Sequence, residues 1–409
     1  MSGLLRHRPG GLALLAIISV AMASPSASGR PISEDDAVAA ALANGQFGAL
    51  GEAERAVAEA RTRSLPRFES PEATVSRESV SGSAGRETEW QVGITQPIQL
   101  SGRQSSLRAA ARAEAVAVGA DVSRRRQQRI AEVREAFVGC AAAAEKIAIS
   151  LRYARRLAGA ERSVTLRTRA GDTAVYDLRR LRVEARSAEA QLHIAEGERA
   201  AECGSLGRLT GINDAEPSIP LTQMLPARGE VLQAQPSAVR QDLTAMEARV
   251  ASAAAQARAA EQSRIPDLSI GVGYKSLSNE DGSAGGPAAS LGIRLPLFSR
   301  GNAAVDEARA LQRVREAELQ LARREVQASI GAAAARVKAA TAAAYQAREA
   351  AMDASRLSAI AQAAYEGGET GVVELIDGYR TARDAELEIV DHTERALRAT
   401  ITQSLAEGR

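Results

Sequence analysis

The stretch Gly367–Arg380, GGETGVVELIDGYR, interrupts a long alanine-rich helical pattern with glycine and sets acids at Glu374 and Asp377 just beyond the break. A relative lies 197 residues earlier, in Ala170–Arg180, AGDTAVYDLRR. Glycine reaches positive φ without a Cβ penalty, so each stretch reads as a tight turn between two helices. Proline sets the length of those helices. None of the 13 prolines falls between Pro97 and Pro217, and none follows Pro296. A helix interior excludes proline by about 3 kcal/mol. The two tracts therefore read as long helical hairpins, over about 102–212 and 301–407. The arm from Arg103 to Ala170 has 68 residues, roughly 100 Å of helix at about 1.5 Å per residue.

The same events precede each hairpin. Pro31–Pro66 encloses one helical pattern, begun by Ser33, and Pro236–Pro266 another, begun by Ser237; serine is a favoured N-cap. Pairing Pro66 with Pro266, Pro97 with Pro296 and Gly171 with Gly368 gives offsets of 200, 199 and 197. Landmarks that hold register this closely indicate a duplicated chain. The expected repeats cover 31–215 and 237–409, with a proline-marked linker over 216–236.

Between the short helix and the long hairpin the period changes to two. DLSIGVGYKSL places Leu268, Ile270, Val272 and Tyr274 on one face, and SLGIRLPLF alternates likewise at Leu291, Ile293, Leu295 and Leu297. In the first repeat EWQVGITQPI sets Trp90, Val92 and Ile94 against Gln91, Gly93 and Thr95. Strands are expected at about 68–81, 87–99, 267–278 and 288–298, joined by the Gly/Ser-rich turns SGSAG (Ser81–Gly85) and NEDGSAGG (Asn279–Gly286). A strand of about ten residues with one apolar and one small or polar face suits the wall of a membrane barrel. Closure in lipid needs at least about eight strands, because open edges are not tolerated there. Four strands cannot close alone, whereas three copies give twelve. Phe68, Trp90, Tyr274 and Phe298 lie in or beside the strands, as an interfacial aromatic girdle requires. A soluble coiled-coil protein with a small β-cap is the plainer alternative.

Composition limits the function. Aromatics make up only 3% of the chain, and the formal charge is +2, which becomes neutral without Arg6 and Arg8. That balance offers no electrostatic case for nucleic acid. Arg6–Arg8, the apolar run Gly10–Met22 and the small residues Ala21–Ala23 read as a secretory signal over 1–23, its end extending as far as residue 29. Later stretches lack the ~18 apolar residues of a membrane-spanning helix. His193 and His392 stand alone on long arms, which argues against a metal site, and no Ser/His/Asp set or phosphate cradle can be assembled. Neither an enzyme nor a cofactor is expected. The run RRRQQR, Arg124–Arg129, reads as a solvated helix face.

The order signal, helix, β-hairpin, long helical hairpin, all repeated, resembles the TolC-like outer-membrane efflux protein family over nearly the whole mature chain. ITQPIQLSGRQSSLRAAARAEA and IRLPLFSRGNAAVDEARA look like its strand-to-helix junctions. LRTRAGDTAVYDLRRLRVEA and AAYEGGETGVVELIDGYRTARDAE look like its two hairpin tips. RETEWQVGITQPIQLSGR looks most like the CzcC-like heavy-metal branch. The resemblance implies a mainly α protein with a β-barrel contribution: a homotrimer with a 12-stranded barrel in outer-membrane lipid and a 12-helix barrel in the periplasm. It implies a passive exit duct, docked to a periplasmic adaptor and through it to an inner-membrane RND-type transporter, with heavy-metal cations as the first cargo. A drug-efflux or type I secretion system is the alternative with the same architecture. An adaptor protein is disfavoured, since it would show one helical hairpin rather than two repeats.

Carried over by position, the resemblance puts the gate aspartate at Asp177, the gate tyrosine at Tyr365 and two acidic ring positions at Glu374 and Asp377. The family's gate arginine falls on Thr370. The Tyr365 hydroxyl is expected to donate to Asp177. Gly171, Asp172, Gly367, Gly368 and Gly371 form the turns and the adaptor-docking tips. Cys140 lies 31 residues before Gly171 and Cys203 lies 31 after Asp172, so the two sit at one height in an antiparallel hairpin. In the oxidising periplasm a disulfide is expected. Equal height does not fix rotational phase, so two free thiols pointing apart remain the alternative.

Overall fold

The computed structural model describes residues 30–83, 85–226, 239–279, 282–295 and 302–409. The expected signal segment, Ser237 and Phe298 lie outside them. In chain order the elements are β1 (Arg30–Ile32), α1 (Glu34–Leu42), α2 (Gly45–Ser64), β2 (Glu72–Gly82), β3 (Gly85–Ile98), α3 (Arg103–Ala170) and α4 (Val175–Thr210). There follow β4 (Ala215–Pro217), α5 (Gln241–Gln262), β5 (Asp267–Asn279), β6 (Gly282–Arg294), α6 (Asn302–Glu366) and α7 (Val372–Ala406).

The long helices are where proline is absent. The region before the first strand differs from expectation. Ser33 caps α1, its hydroxyl accepting from the Asp36 N–H, but the pattern then divides. Asn44 caps a second helix, its side chain accepting from the Gln46 N–H, because Asn competes for backbone donors and favours helix starts over interiors. In the described part of the expected linker, 216–226, Leu221 and Leu225 are buried. β4 pairs in parallel with β1, and Leu221 is fully buried. The Glu145 carboxylate on α3 accepts from the Thr222 N–H and hydroxyl at 3.1 and 2.7 Å. Arg348 on α6 donates to the Thr222 carbonyl at 2.6 Å, and the Tyr345 hydroxyl donates to the Pro226 carbonyl at 2.6 Å. Residues 221–226 are thus a strap across α3 and α6.

The four long strands form one antiparallel sheet in the order β2-β3-β5-β6. The two hairpins join through β3 and β5, where Val92 pairs with Tyr274 and Ile94 with Val272. Strand β6 starts earlier than expected, because the Gly/Ser stretch 282–286 continues the ladder against Lys275–Asn279 instead of looping; the expected positions 296–298 lie outside the described residues. Gly285 makes this possible: a Cβ there would lie 2.6 Å from the Tyr274 hydroxyl, so the ring covers the glycine. One face carries Val75, Trp90, Val92, Ile94, Ile270, Val272, Tyr274, Leu291 and Ile293, all exposed. The other carries Ser76, Gln91, Gly93, Thr95, Gly271, Gly273 and Ser290, with Lys275 bonded to Glu89 at 2.7 Å. Trp90 to Ile98 measures about 27 Å along the strand at ~3.4 Å per residue, close to the ~25 Å apolar band of an outer-membrane barrel.

The helices form a layer in matching order. Helix α3 packs against α2 and α4, then against α5 and α7, and α6 packs against α5 and α7. The order is (α2, α4)–α3–(α5, α7)–α6, with α2 and α4 on one edge and α6 on the other. Alanine lines the seams, as at Ala117, Ala120 and Ala245, which lets axes approach closely. Both edges expose apolar side chains: Leu50, Tyr176, Val183 and Ile194 on one, and Leu311, Val314, Leu321, Met352 and Ile360 on the other.

Candidate functional site at the hairpin tips

Each hairpin turns through the same helix-ending motif. Gly171 has φ +86° and Gly368 has φ +77°. After them the Asp172 N–H donates to the Arg167 carbonyl at 2.9 Å and the Glu369 N–H to the Ala364 carbonyl at 2.8 Å. These bonds satisfy the last free carbonyls of α3 and α6, and the left-handed residue before them favours glycine. Of the other turn glycines, Gly371 is extended and caps α7, and Gly367 has no positive φ. The Glu374 carboxylate folds back to within 3.0 Å of where a Gly371 Cβ would stand, at the positive end of α7.

Below the turns, four helices share one core: Leu157 and Val164 of α3, Leu178 and Leu181 of α4, Tyr365 of α6, and Val372, Leu375, Ile376 and Tyr379 of α7. Gly378 lets α7 close on α6, since a Cβ there would lie 2.7 Å from that of Ala361. Tyr365 is only 7% exposed, with the Arg167 guanidinium 5.1 Å from its ring. Its buried hydroxyl has no hydrogen-bond partner, and neither has the Thr370 hydroxyl. The expected Tyr365–Asp177 bond is therefore not made within the chain, because the ring is drawn into the tip core beneath Arg167. Asp177 is half-buried in the first turn of α4. Glu374 and Asp377 are exposed and three residues apart, so they share one helix face.

Sequence reasoning missed the polar lock one level higher. The Tyr153 hydroxyl donates to Glu184 at 2.5 Å, Arg380 donates to the other carboxylate oxygen, and the Arg383 guanidinium lies 4.5 Å from the Tyr153 ring. Burial works against the charged Glu184, but the bonds from Tyr153 and Arg380 outweigh it and hold its carboxyl below the usual range. Burial, and then Glu184 itself, push the Tyr153 phenol up. Further along the α3–α7 seam Arg152 meets Glu386 at 2.6 Å and Lys146 meets Asp391 at 2.7 Å. The legible signal was aromatic placement: four of the six tyrosines, Tyr153, Tyr176, Tyr365 and Tyr379, lie within 18 residues of a turn glycine, Gly171 or Gly368.

Cys140 and Cys203 are joined by a disulfide between α3 and α4, Cα to Cα 4.6 Å. It sits in a core with Ile32, Phe137, Leu206 and Ala215, at the level of the β1–β4 pair. Among the described residues no group of three or more His, Cys, Asp or Glu could hold a metal ion, and no helix is long and apolar enough to cross a membrane.

Residues 234–407 match the family model described as outer membrane efflux protein. No curated protein matches the chain. Among solved structures, the outer membrane protein VceC of Vibrio cholerae is similar with TM-score 0.77 at 18% identity, over 92% of this chain and 96% of that one. CusC is similar with TM-score 0.77 at 16% identity, over 93% of each chain. A membrane protein from Pseudomonas aeruginosa gives TM-score 0.75 at 20% identity, over 92% of each. The chain therefore has the mainly helical fold of the TolC-like outer-membrane channels, and its second half carries the sequence pattern of the outer membrane efflux protein family.

Proposed function

We propose that the chain is one subunit of a trimeric outer-membrane duct, the passive exit of a tripartite efflux pump. One observation carries this reading: the sheet and the helix layer end at matching edges. The β2 edge and the α2/α4 edge belong to the first repeat, and the β6 edge and α6 to the second. Unlike edges meet when a second copy is added by rotation, and such head-to-tail contacts give a ring where the rotation closes. Closing the ring pairs the bare strand edges and buries both apolar helix edges. Three copies give a twelve-stranded barrel, with the exposed apolar face of the sheet turned to lipid and the helices in the periplasm.

At the far end the tips gate the duct and meet a periplasmic adaptor, itself bound to an inner-membrane RND-type transporter. The buried Tyr365 hydroxyl takes Asp177 as its acceptor in the closed assembly, which removes the roughly 1–3 kcal/mol cost of an unpaired buried polar group. Glu374 and Asp377, tripled by symmetry, form a carboxylate ring that favours cations at close range. Heavy-metal cations are the cargo we favour, on the likeness of RETEWQVGITQPIQLSGR to the heavy-metal branch. Size-exclusion with light scattering in detergent tests the assembly, and a monomeric, non-conducting protein would overturn it. In planar bilayers divalent cations are expected to block wild-type current and to lose that block in Asp377→Ala. An unchanged block removes the ring.

A further inference from the structure

Strand pairing orders the apolar face of the sheet into rows, because directly opposed residues point to one side. Toward the hairpin turns the row Val75, Val92, Tyr274 is followed by Arg77, Trp90, Ser276. Next come Ser79, Thr88, Ser278, and then Ser81 with Arg86. The apolar band therefore stops at Trp90, and Arg86 stands about 14 Å beyond it, four residues at ~3.4 Å each. Arg77 and Arg86 are the only charged residues that β2, β3, β5 and β6 place on this face. The acids Glu72, Glu78, Glu87, Glu89 and Asp267 all fall on the opposite face, together with Lys275 and Arg294. One face mixes signs and the other is cationic alone. Both arginines are exposed. The Arg77 guanidinium lies 5.4 Å from the Trp90 ring and, among the described residues, makes no hydrogen bond or ion pair. Arg86 donates to the Ser81 hydroxyl at 3.5 Å and has no acidic partner there.

We propose that Arg77 and Arg86, beside Trp90, form a headgroup site for a lipid that carries a phosphate monoester in the outer leaflet. The inference rests on the duct reading above, which turns this face to lipid and sets the helices in the periplasm, so that the hairpin turns lie at the outer surface. Trp90 then marks the level where hydrocarbon gives way to headgroups, as an interfacial aromatic does. An arginine at that depth costs little, whereas one at mid-membrane would cost far more. Guanidinium forks bind phosphate oxygens through paired, directional bonds. A phosphate monoester carries a charge of about −1.5 to −2 at pH 7, and so has charge to spare for two cations. A zwitterionic headgroup brings its own cation and has none. Ring closure pairs the backbone of β2 and leaves the outward Arg77 side chain at the lipid surface. The acids lie across the sheet, where they do not compete for the guanidiniums.

Trp90 is the only tryptophan in the chain, so its emission reports on the site directly. Full-length protein, freed of lipid by exhaustive exchange into a maltoside detergent, is titrated with diphosphoryl lipid A, with an unphosphorylated analogue bearing the same acyl chains, and with inorganic phosphate. The phosphorylated lipid is expected to give a saturable change in Trp90 emission, at least about tenfold tighter than the analogue, and to weaken at least about tenfold in Arg77→Gln/Arg86→Gln. Lys275→Gln, which removes a cation from the other face, is expected to match wild type. Equal affinity for the two lipids, or no emission change with either, overturns the proposal on the wild type alone. So does saturation by inorganic phosphate at the same concentrations, which would show an anion site that ignores lipid. An unaffected double variant, or a Lys275→Gln variant weakened as much as the double one, overturns it as well. Wild-type mass and conductance are measured in the same preparation. A conducting trimer indifferent to lipid phosphate sinks this inference alone, and a non-conducting monomer sinks the duct reading with it.

Discussion

Gly171 and Gly368 occupy one position of the repeat and hold the same left-handed backbone. An alanine at either site would have to adopt φ near +80°, at a cost of about 1–2 kcal/mol. Gly171→Ala and Gly368→Ala are each expected to lower the melting temperature by a few degrees, while Gly367→Ala, with no positive φ to hold, is expected to change it little. Differential scanning calorimetry separates the three. Glu184 sets a pH limit. Its folded-state pKa lies below the ordinary 4.5, so its contribution is present above that value and is lost as pH falls through the lower one. Glu184→Gln is therefore expected to melt earlier than wild type at pH 7, with a gap that narrows below about pH 4. Equal melting temperatures at pH 7 would remove Glu184 from the lock. Residue roles were the hardest part to read. The turn glycines declare themselves by composition, but Tyr153, Glu184 and Arg380 come from three helices, and nothing local to any one of them signals the others.

At the scale of elements the sequence was far more explicit, because long helices repel proline and barrel strands alternate. Both rules act within a few residues, so α3 and the four strands were legible as separate objects. What escaped were features set by tertiary contact. Strand β6 extends through glycines because β5 holds its register, and 221–226 lies down because Glu145, Arg348 and Tyr345 pair its backbone. The cysteines occupy an intermediate place, since their equal height was readable and their rotational phase was not. Cross-linking across 63 residues restricts the unfolded chain by about 4 kcal/mol in the chain-entropy picture. Reduction, or Cys203→Ser, is expected to lower the melting temperature by several degrees and to add two alkylation sites to the reduced wild type in mass spectra. Absence of a melting shift on full reduction would show that the packed helices hold the hairpin unaided.

At the scale of the whole molecule the edges decide. Val183 and Ile194 project from α4, and Leu321 and Met352 from α6, each more than half exposed. A charge placed there leaves each folded subunit intact and removes the contact that closes the ring. Val183→Glu/Ile194→Glu is expected to yield folded monomers by light scattering, with a circular dichroism spectrum like that of wild type. A surviving trimer would place the subunit contact elsewhere.

The disulfide has a consequence for how such a ring can move. The only two cysteines both belong to the first hairpin, and the second has none. Around a threefold assembly, riveted and unriveted pairs of arms would alternate like fixed posts and hinged shutters. Any iris-like widening would then fall to the shutters, and a reducing environment would erase the distinction between them.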